Sequence, residues 1–234
     1  MRILAASLFV LALASPAAAQ QKETETVDRT VTIGERGRLN LKNFSGDVRI
    51  TGTAGGDVVI HAVRNATRER LDNIKLDIST TSSSVSIDAN KRADGWRDRN
   101  NNVVETDFEI TVPYGTELDL DTFSGKLDVR GVTGSVNAHT FSGSIEIDVA
   151  SASQLPELTA ETFSGNIAAR VPATASGRVR FDSFSGGVRS DLPISMTSRR
   201  NRWGGGEDVD GSIGSGTGPT LRFKTFSGDL RITK

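Results

Sequence analysis

Six copies of one phrase, Phe-Ser-Gly, constrain this chain more than any other feature: they begin at Phe44, Phe123, Phe141, Phe163, Phe184 and Phe226. Successive Phe are 79, 18, 22, 21 and 42 residues apart, the last being two steps of 21, so the period is near twenty residues. A phrase repeated at that period is the mark of a structural repeat, each copy too small to bury its own apolar side and therefore obliged to stack on the next. Before each Phe, apolar and polar residues alternate, as in Leu118, Leu120 and Thr122 or Leu221, Phe223 and Thr225, which is the period-two pattern of a half-buried strand. After it the apolar positions fall one residue out of phase: Phe123, Gly125, Leu127 and Val129. A one-residue slip would turn a straight strand inside out. A bulge or corner at the Thr-Phe junction is therefore predicted, with Phe and the apolar positions on both sides facing one interior. The glycines Gly46, Gly125, Gly143, Gly165, Gly186 and Gly228 supply the backbone freedom such a corner needs.

Glycines nine residues apart, such as Gly125, Gly134 and Gly143, mark a half-period, so each coil holds two short strands with a turn at either end. The fold class predicted is all-β, a β-solenoid resembling a parallel β-helix, with an inserted antiparallel hairpin region. Residues 20–234 read as one domain. Within it, 53–112 form irregular or hairpin coils, 113–190 the main array, 191–218 a loop-rich excursion and 219–234 the terminal coil. Residues 20–28 read as frayed, and 66–73 as a helical turn or two. In a packed ladder of rings, truncation of one Phe to Ala costs roughly 3–5 kcal/mol. Phe141 and Phe163, mid-array, are expected to matter more than Phe44 and Phe226 nearer the ends.

Residues 1–19 have the form of a secretory signal: Met1-Arg2, an apolar run Ile3 to Ala14, then small residues with an Ala-x-Ala cleavage site after Ala19. The run is short for a membrane span and is followed by Pro16, so no span is expected in the mature chain. An exported location follows, whether periplasm, cell surface or extracellular space. The chain has no cysteine, which leaves no disulfide and no thiol for lipid attachment. With 28 basic and 29 acidic residues the net charge is −1, and no basic field points to a nucleic-acid partner.

The Ser of each repeat invites a nucleophile reading, and Ser185-Gly186-Gly187 has a trace of an active-site turn. Six copies along a rod argue instead for a hydroxyl that satisfies backbone groups at a corner. His61 and His139 are the only histidines, and neither sits in a nucleophile motif, so no catalytic residue and no cofactor are expected. Asp208-Val209-Asp210-Gly211 has the start of a calcium loop without the distal Glu, which makes Asp208 and Asp210 weak metal candidates. Two Trp stand in charged segments outside the repeat, Trp96 with Arg97 and Arg99, and Trp203 with Arg199, Arg200 and Arg202. Trp beside Arg is a common composition of binding hot spots, so these seven are the candidate contacts. The competing reading folds each ring back over the solenoid.

The leader, the early Leu-x-Leu-x-Asn-Phe-Ser-Gly-Asp-Val unit, the Phe108-Glu109-Ile110-Thr111-Val112-Pro113 strand and the serial Thr-Phe-Ser-Gly coils resemble the bacterial DUF4097 family, whose members bear the name "putative adhesin". The resemblance spans the mature chain. It implies a β-solenoid protein of the cell envelope, in a family some of whose members are associated with envelope-stress systems, and it supplies no catalytic residue. The function expected is a non-enzymatic adhesin or interaction scaffold with an envelope protein or glycan as partner. Self-association through exposed terminal coils is a further expectation. The alternatives are a carbohydrate-active β-helix enzyme, which would need convergent carboxylates, and a regulatory partner in an envelope-stress pathway.

Overall fold

In the computed structural model, which describes residues 22–93, 96, 103–149, 151–152, 154–201 and 205–234, the alternating pattern becomes nineteen strands and one short helix. β1 (Lys22–Thr32) is followed by β2 (Arg38–Ser45) and β3 (Val48–Thr53), the two arms of the first Phe-Ser-Gly unit. Next come β4 (Asp57–Thr67), helix α1 (Arg68–Asn73), β5 (Ile74–Thr80), β6 (Ser84–Arg92) and β7 (Glu105–Pro113). Four repeats follow as strand pairs. They are β8 (Glu117–Ser124) with β9 (Leu127–Arg130), β10 (Val136–Ser142) with β11 (Ile145–Asp148), β12 (Leu158–Ser164) with β13 (Ile167–Arg170), and β14 (Gly177–Ser185) with β15 (Val188–Ser190). The chain closes with β16 (Ile194–Asn201), β17 (Glu207–Ile213), β18 (Thr220–Ser227) and β19 (Leu230–Thr233).

The first arms lie parallel in one sheet in the order β6, β2, β8, β10, β12, β18, β14, and the second arms in the other as β7, β3, β9, β11, β13, β19, β15. Seven stacked coils result, with the β6–β7 unit, which lacks the Phe corner, at one end and the β14–β15 unit at the other. The solenoid reading holds, with antiparallel strands added at both ends: β5 beside β6, β4 and β1 beyond β7, and β17 and β16 beyond β14. Residues keep strict register through the stack. Leu39, Leu118, Val136, Leu158, Leu221 and Val179 form one inward row, and Val48, Leu127, Ile145, Ile167, Leu230 and Val188 face them from the other sheet. Most of these side chains are fully buried in a single core, as a stack that cannot close on itself requires.

Several expectations change. Residues 20–28 are not frayed where described: β1 pairs along its whole length with β4. The buried Arg64 of β4 ion-pairs with Glu25 of β1 and donates to the Ile74 carbonyl at 2.5 Å. The excursion at 191–218 is a strand pair, β16 on β17 on β14, whose polar outward positions hid its inward Val209 and Ile213. The last coil does not end the stack. β18 and β19 slot between the coils of β12–β13 and β14–β15, so sequence order and spatial order part company there.

The corner is made by glycine. Gly125 has φ +130°, and a Cβ on it would overlap the carbonyl oxygen of Gly46 in the neighbouring coil. Gly143 meets Gly125 in the same way, Gly165 meets Gly143, Gly228 meets Gly165 and Gly186 meets Gly228. The main chains therefore touch at every corner, and no side chain fits between them. The amide of Gly143 donates to the Ser164 carbonyl at 3.0 Å, and that of Gly228 to the Ser185 carbonyl at 2.9 Å, continuing the ladder through the turn. At two corners a hydroxyl of the Thr before Phe reaches the neighbouring glycine carbonyl: Thr162 donates to that of Gly143 at 3.1 Å and Thr225 to that of Gly165 at 3.3 Å.

Gly143→Ala is expected to destabilise by about 2–4 kcal/mol through overlap and backbone strain. Gly55, also at positive φ but with open space around it, should cost only about 1 kcal/mol on the same change. Thermal melts of the two variants against the parent check the difference, and equal shifts would remove the contact ladder as the cause.

Candidate functional site

The six Phe rings are not in the core. Each is 42–47% exposed, and the alternation explains it: Thr122 points in, so Phe123, the next residue, points out, and the phase change falls at Ser124-Gly125 instead of at the Thr-Phe junction. The interior row that the rings were expected to fill is taken by the buried Asn43, Thr122, Thr140, Thr162, Thr225 and Ser183. Because the coils are in register, the rings stack in one line in the order Phe44, Phe123, Phe141, Phe163, Phe226, Phe184. Their centroids are 4.7–4.9 Å apart and their planes within 2–14° of parallel. That spacing is the distance between hydrogen-bonded strands. Phe226 is thus an inner ring, and Phe44 and Phe184 are the ends.

An exposed apolar line of this length is unusual on a soluble surface. Each inner ring has both faces covered by its neighbours, so the surface shows ring edges. Beside it, on the same face of the ten-stranded sheet, runs a polar row two residues before each Phe, five charged residues and one histidine: Lys42, Asp121, His139, Glu161, Lys224 and Asp182 in stack order. Two adjoining grooves follow the boundary, one along Phe44, Phe123 and Phe141 with Lys42, Asp121 and His139, the other along Phe163, Phe226 and Phe184 with Glu161, Lys224 and Asp182. His139 hydrogen-bonds Asn137 at 2.8 Å through Nε2 and lies 3.7 Å from Glu161 through Nδ1. Further from the rings, Arg38 donates to Glu117 at 2.6 Å, and that hydrogen bond, reinforced by the carboxylate charge, raises the guanidinium above its ordinary value.

A family model matches residues 22–233 with this repeat array, under the description Toastrack DUF4097. The chain belongs to that family. Among solved structures, the Toastrack chain is similar to one named "putative cell adhesion protein" from Clostridium sporogenes. The likeness covers 90% of this chain and 99% of that one, with TM-score 0.65 and 11% identity. A "putative adhesin" from Bacteroides fragilis matches at TM-score 0.38 and 11% identity, covering 89% and 97%. At 11% identity the likeness to the Clostridium sporogenes structure establishes a shared fold alone. No curated protein matches.

The Toastrack fold distributes the residues singled out in the sequence. Trp96 is half-buried and packs against Ala66, Leu71, Ile74 and Val104, a small second core under α1, so much of its bulk is used within the molecule. Arg97, Arg99, Arg202 and Trp203 lie outside the described residues, as does the side chain of Arg199. Arg200 is exposed on β16, in register with Asp208. Asp210 accepts from Arg180 at 3.0 Å. His61 lies 2.6 Å from Asp28 across the β1–β4 pair, 78 residues from His139 in sequence. No helix among the described residues is long and apolar enough to cross a membrane.

Because the rings are half-covered, Phe141→Ala is expected to cost about 1–2 kcal/mol. Phe223→Ala, which removes a fully buried ring, should cost about 3–5 kcal/mol. Denaturant unfolding of the two variants reads this directly.

Proposed function

We propose that the chain is an exported, non-enzymatic contact scaffold of the cell envelope, an adhesin-type module whose contact surface is the phenylalanine ladder. The observation that carries the reading is the ladder itself: six large apolar side chains held in solvent at the one repeat position that the core does not need. Aromatic residues exposed on rigid elements and bordered by charge are the composition of protein contact surfaces. Edge-on rings favour a protein partner over a glycan, since a sugar ring stacks on an aromatic face and the inner faces here are covered. The signal-like residues 1–19 support export, and the adhesion-related name of the Clostridium sporogenes structure is consistent with such a role. In this reading the Trp-Arg segments are secondary to the ladder.

Retention of the purified chain by intact cells or isolated envelopes tests the proposal. The parent chain should be retained, and a Phe141→Ser, Phe163→Ser double variant should lose retention by about tenfold or more, with its circular dichroism unchanged. Equal retention of the two would overturn it. Residues 1–21 fused to a reporter enzyme should direct its export with cleavage after Ala19, and a reporter left in the cytoplasm would refute that part.

A further inference from the structure

The charged rows beside the rings have an internal symmetry. In stack order the row next to the ladder reads Lys42, Asp121, His139, Glu161, Lys224, Asp182, and the row behind it Asn40, Asp119, Asn137, Thr159, Arg222, Arg180. A two-fold axis lying in the plane of the face, parallel to the strands and midway between the Phe141 and Phe163 coils, reverses coil order. In a second copy so placed, Asp121 meets Lys224, Lys42 meets Asp182 and His139 meets Glu161, while behind them Asp119 meets Arg222. The same operation sets all six rings against rings, Phe141 on Phe163, Phe123 on Phe226 and Phe44 on Phe184.

Neighbouring placements of the axis fail. Half a coil towards Phe141, Lys42 meets Lys224 and Asp121 meets Glu161. Half a coil towards Phe163, Asp121 meets Asp182 and His139 meets Lys224. A whole-coil shift restores opposite charges but leaves two rings of each copy without a counterpart. Of these placements the central one alone joins opposite charges along the ladder to the full set of rings, whose five steps of 4.7–4.9 Å make an apolar strip about 24 Å long. One strand beyond each end of that strip the row continues to Asp88 and Asp208, and these two carboxylates face each other at its margin.

Resting on the reading of the ladder as a contact surface, we propose that its partner is a second copy of this chain, docked face to face about this two-fold axis. The contact is isologous: the same patch serves both copies and every cross-pair occurs twice. Two sheets packed face to face lie about 10 Å apart and each twists away from the axis, so contact is concentrated near the rings and the two rows beside them. The third row, where Arg38 would face Arg178, splays away. The ladder supplies the apolar centre and the charged rows fix register, the division of labour common in protein interfaces.

The decisive experiment is a charge swap read by sedimentation velocity on residues 20–234 over a concentration series. Asp121 and Lys224 stand three strands apart in their own sheet, about 14 Å, too far to pair within one chain. The parent should sediment as a dimer. Asp121→Lys and Lys224→Asp should each raise the dissociation constant by about tenfold or more, and the double variant carrying both should return to within about threefold of the parent, because the swapped charges meet again only across the axis. A double variant no better than its singles overturns the proposal, as does a dimer that survives Phe141→Ser with Phe163→Ser. A parent that is monomeric at every concentration but retained by envelopes through its ladder overturns self-pairing and leaves the contact-surface reading standing. Loss of both dimer and ladder-dependent retention overturns both. Matched melting temperatures confirm that each variant is folded.

Discussion

Main-chain contact at the glycine corner is the constraint from which the rest of the molecule follows. With Gly125 seated on the Gly46 carbonyl and Gly143 on that of Gly125, successive coils cannot shift along the strand direction without collision or a lost hydrogen bond. Register is then common to every row. The same translation that sets Leu118 against Val136 in the core sets Phe123 against Phe141 outside it. The aromatic ladder is thus a consequence of the corner: a residue placed two positions before a glycine that fixes register will be repeated at strand spacing, whatever it is. Nothing in the packing of the interior asks for Phe there.

Side chains reinforce the corner where an Asp or Asn in the adjoining turn can accept a hydrogen bond from the next coil. Asp107 accepts from the Asp47 amide at 2.8 Å and Asp47 from the Lys126 amide at 2.8 Å. At the far end Asn166 accepts from the Asp229 amide at 2.9 Å and Asp229 from the Gly187 amide at 2.8 Å. Between them Lys126 cannot accept, and its ammonium turns outward to Glu146 at 2.8 Å. The interruption is tolerable because each such bond contributes only about 1 kcal/mol, whereas the glycine contact admits no substitute.

The repeat, its two-strand coils and the inward Leu, Val and Ile rows were legible in the sequence because period-two patterning reports burial directly. The orientation of the rings was not, since an apolar residue flanked by Thr and Ser was assigned to the interior by composition. Continuing the alternation one step past Leu118, Leu120 and Thr122 would have placed Phe123 outside. β17 was missed because Glu207-Asp208-Val209-Asp210-Gly211 shows one apolar residue among charges, and only its pairing with Gly177–Asp182 of β14 reveals an inward face. The order of the rings along the candidate site was illegible for the same reason as the strand order: both depend on which coils are neighbours, and the period fixes the spacing of coils while leaving their sequence in space open.

That freedom is used once, by the last coil. Without β18 and β19, β12 and β14 would each present an open edge one coil apart, and neither Phe163 nor Phe184 would have its Phe226 neighbour. Unpaired edges invite pairing with other chains, and the coil of β18 and β19 covers two of them. The interposed coil supplies both flanks at once: Leu221 joins Leu158 and Val179, Leu230 joins Ile167 and Val188, and one ring, Phe226, closes the ladder by stacking on both Phe163 and Phe184. An end-added coil gains one interface, but an interposed coil gains two, and in a stack whose stability is a sum of neighbour terms this makes the C-terminal segment the piece that locks the halves of the solenoid together.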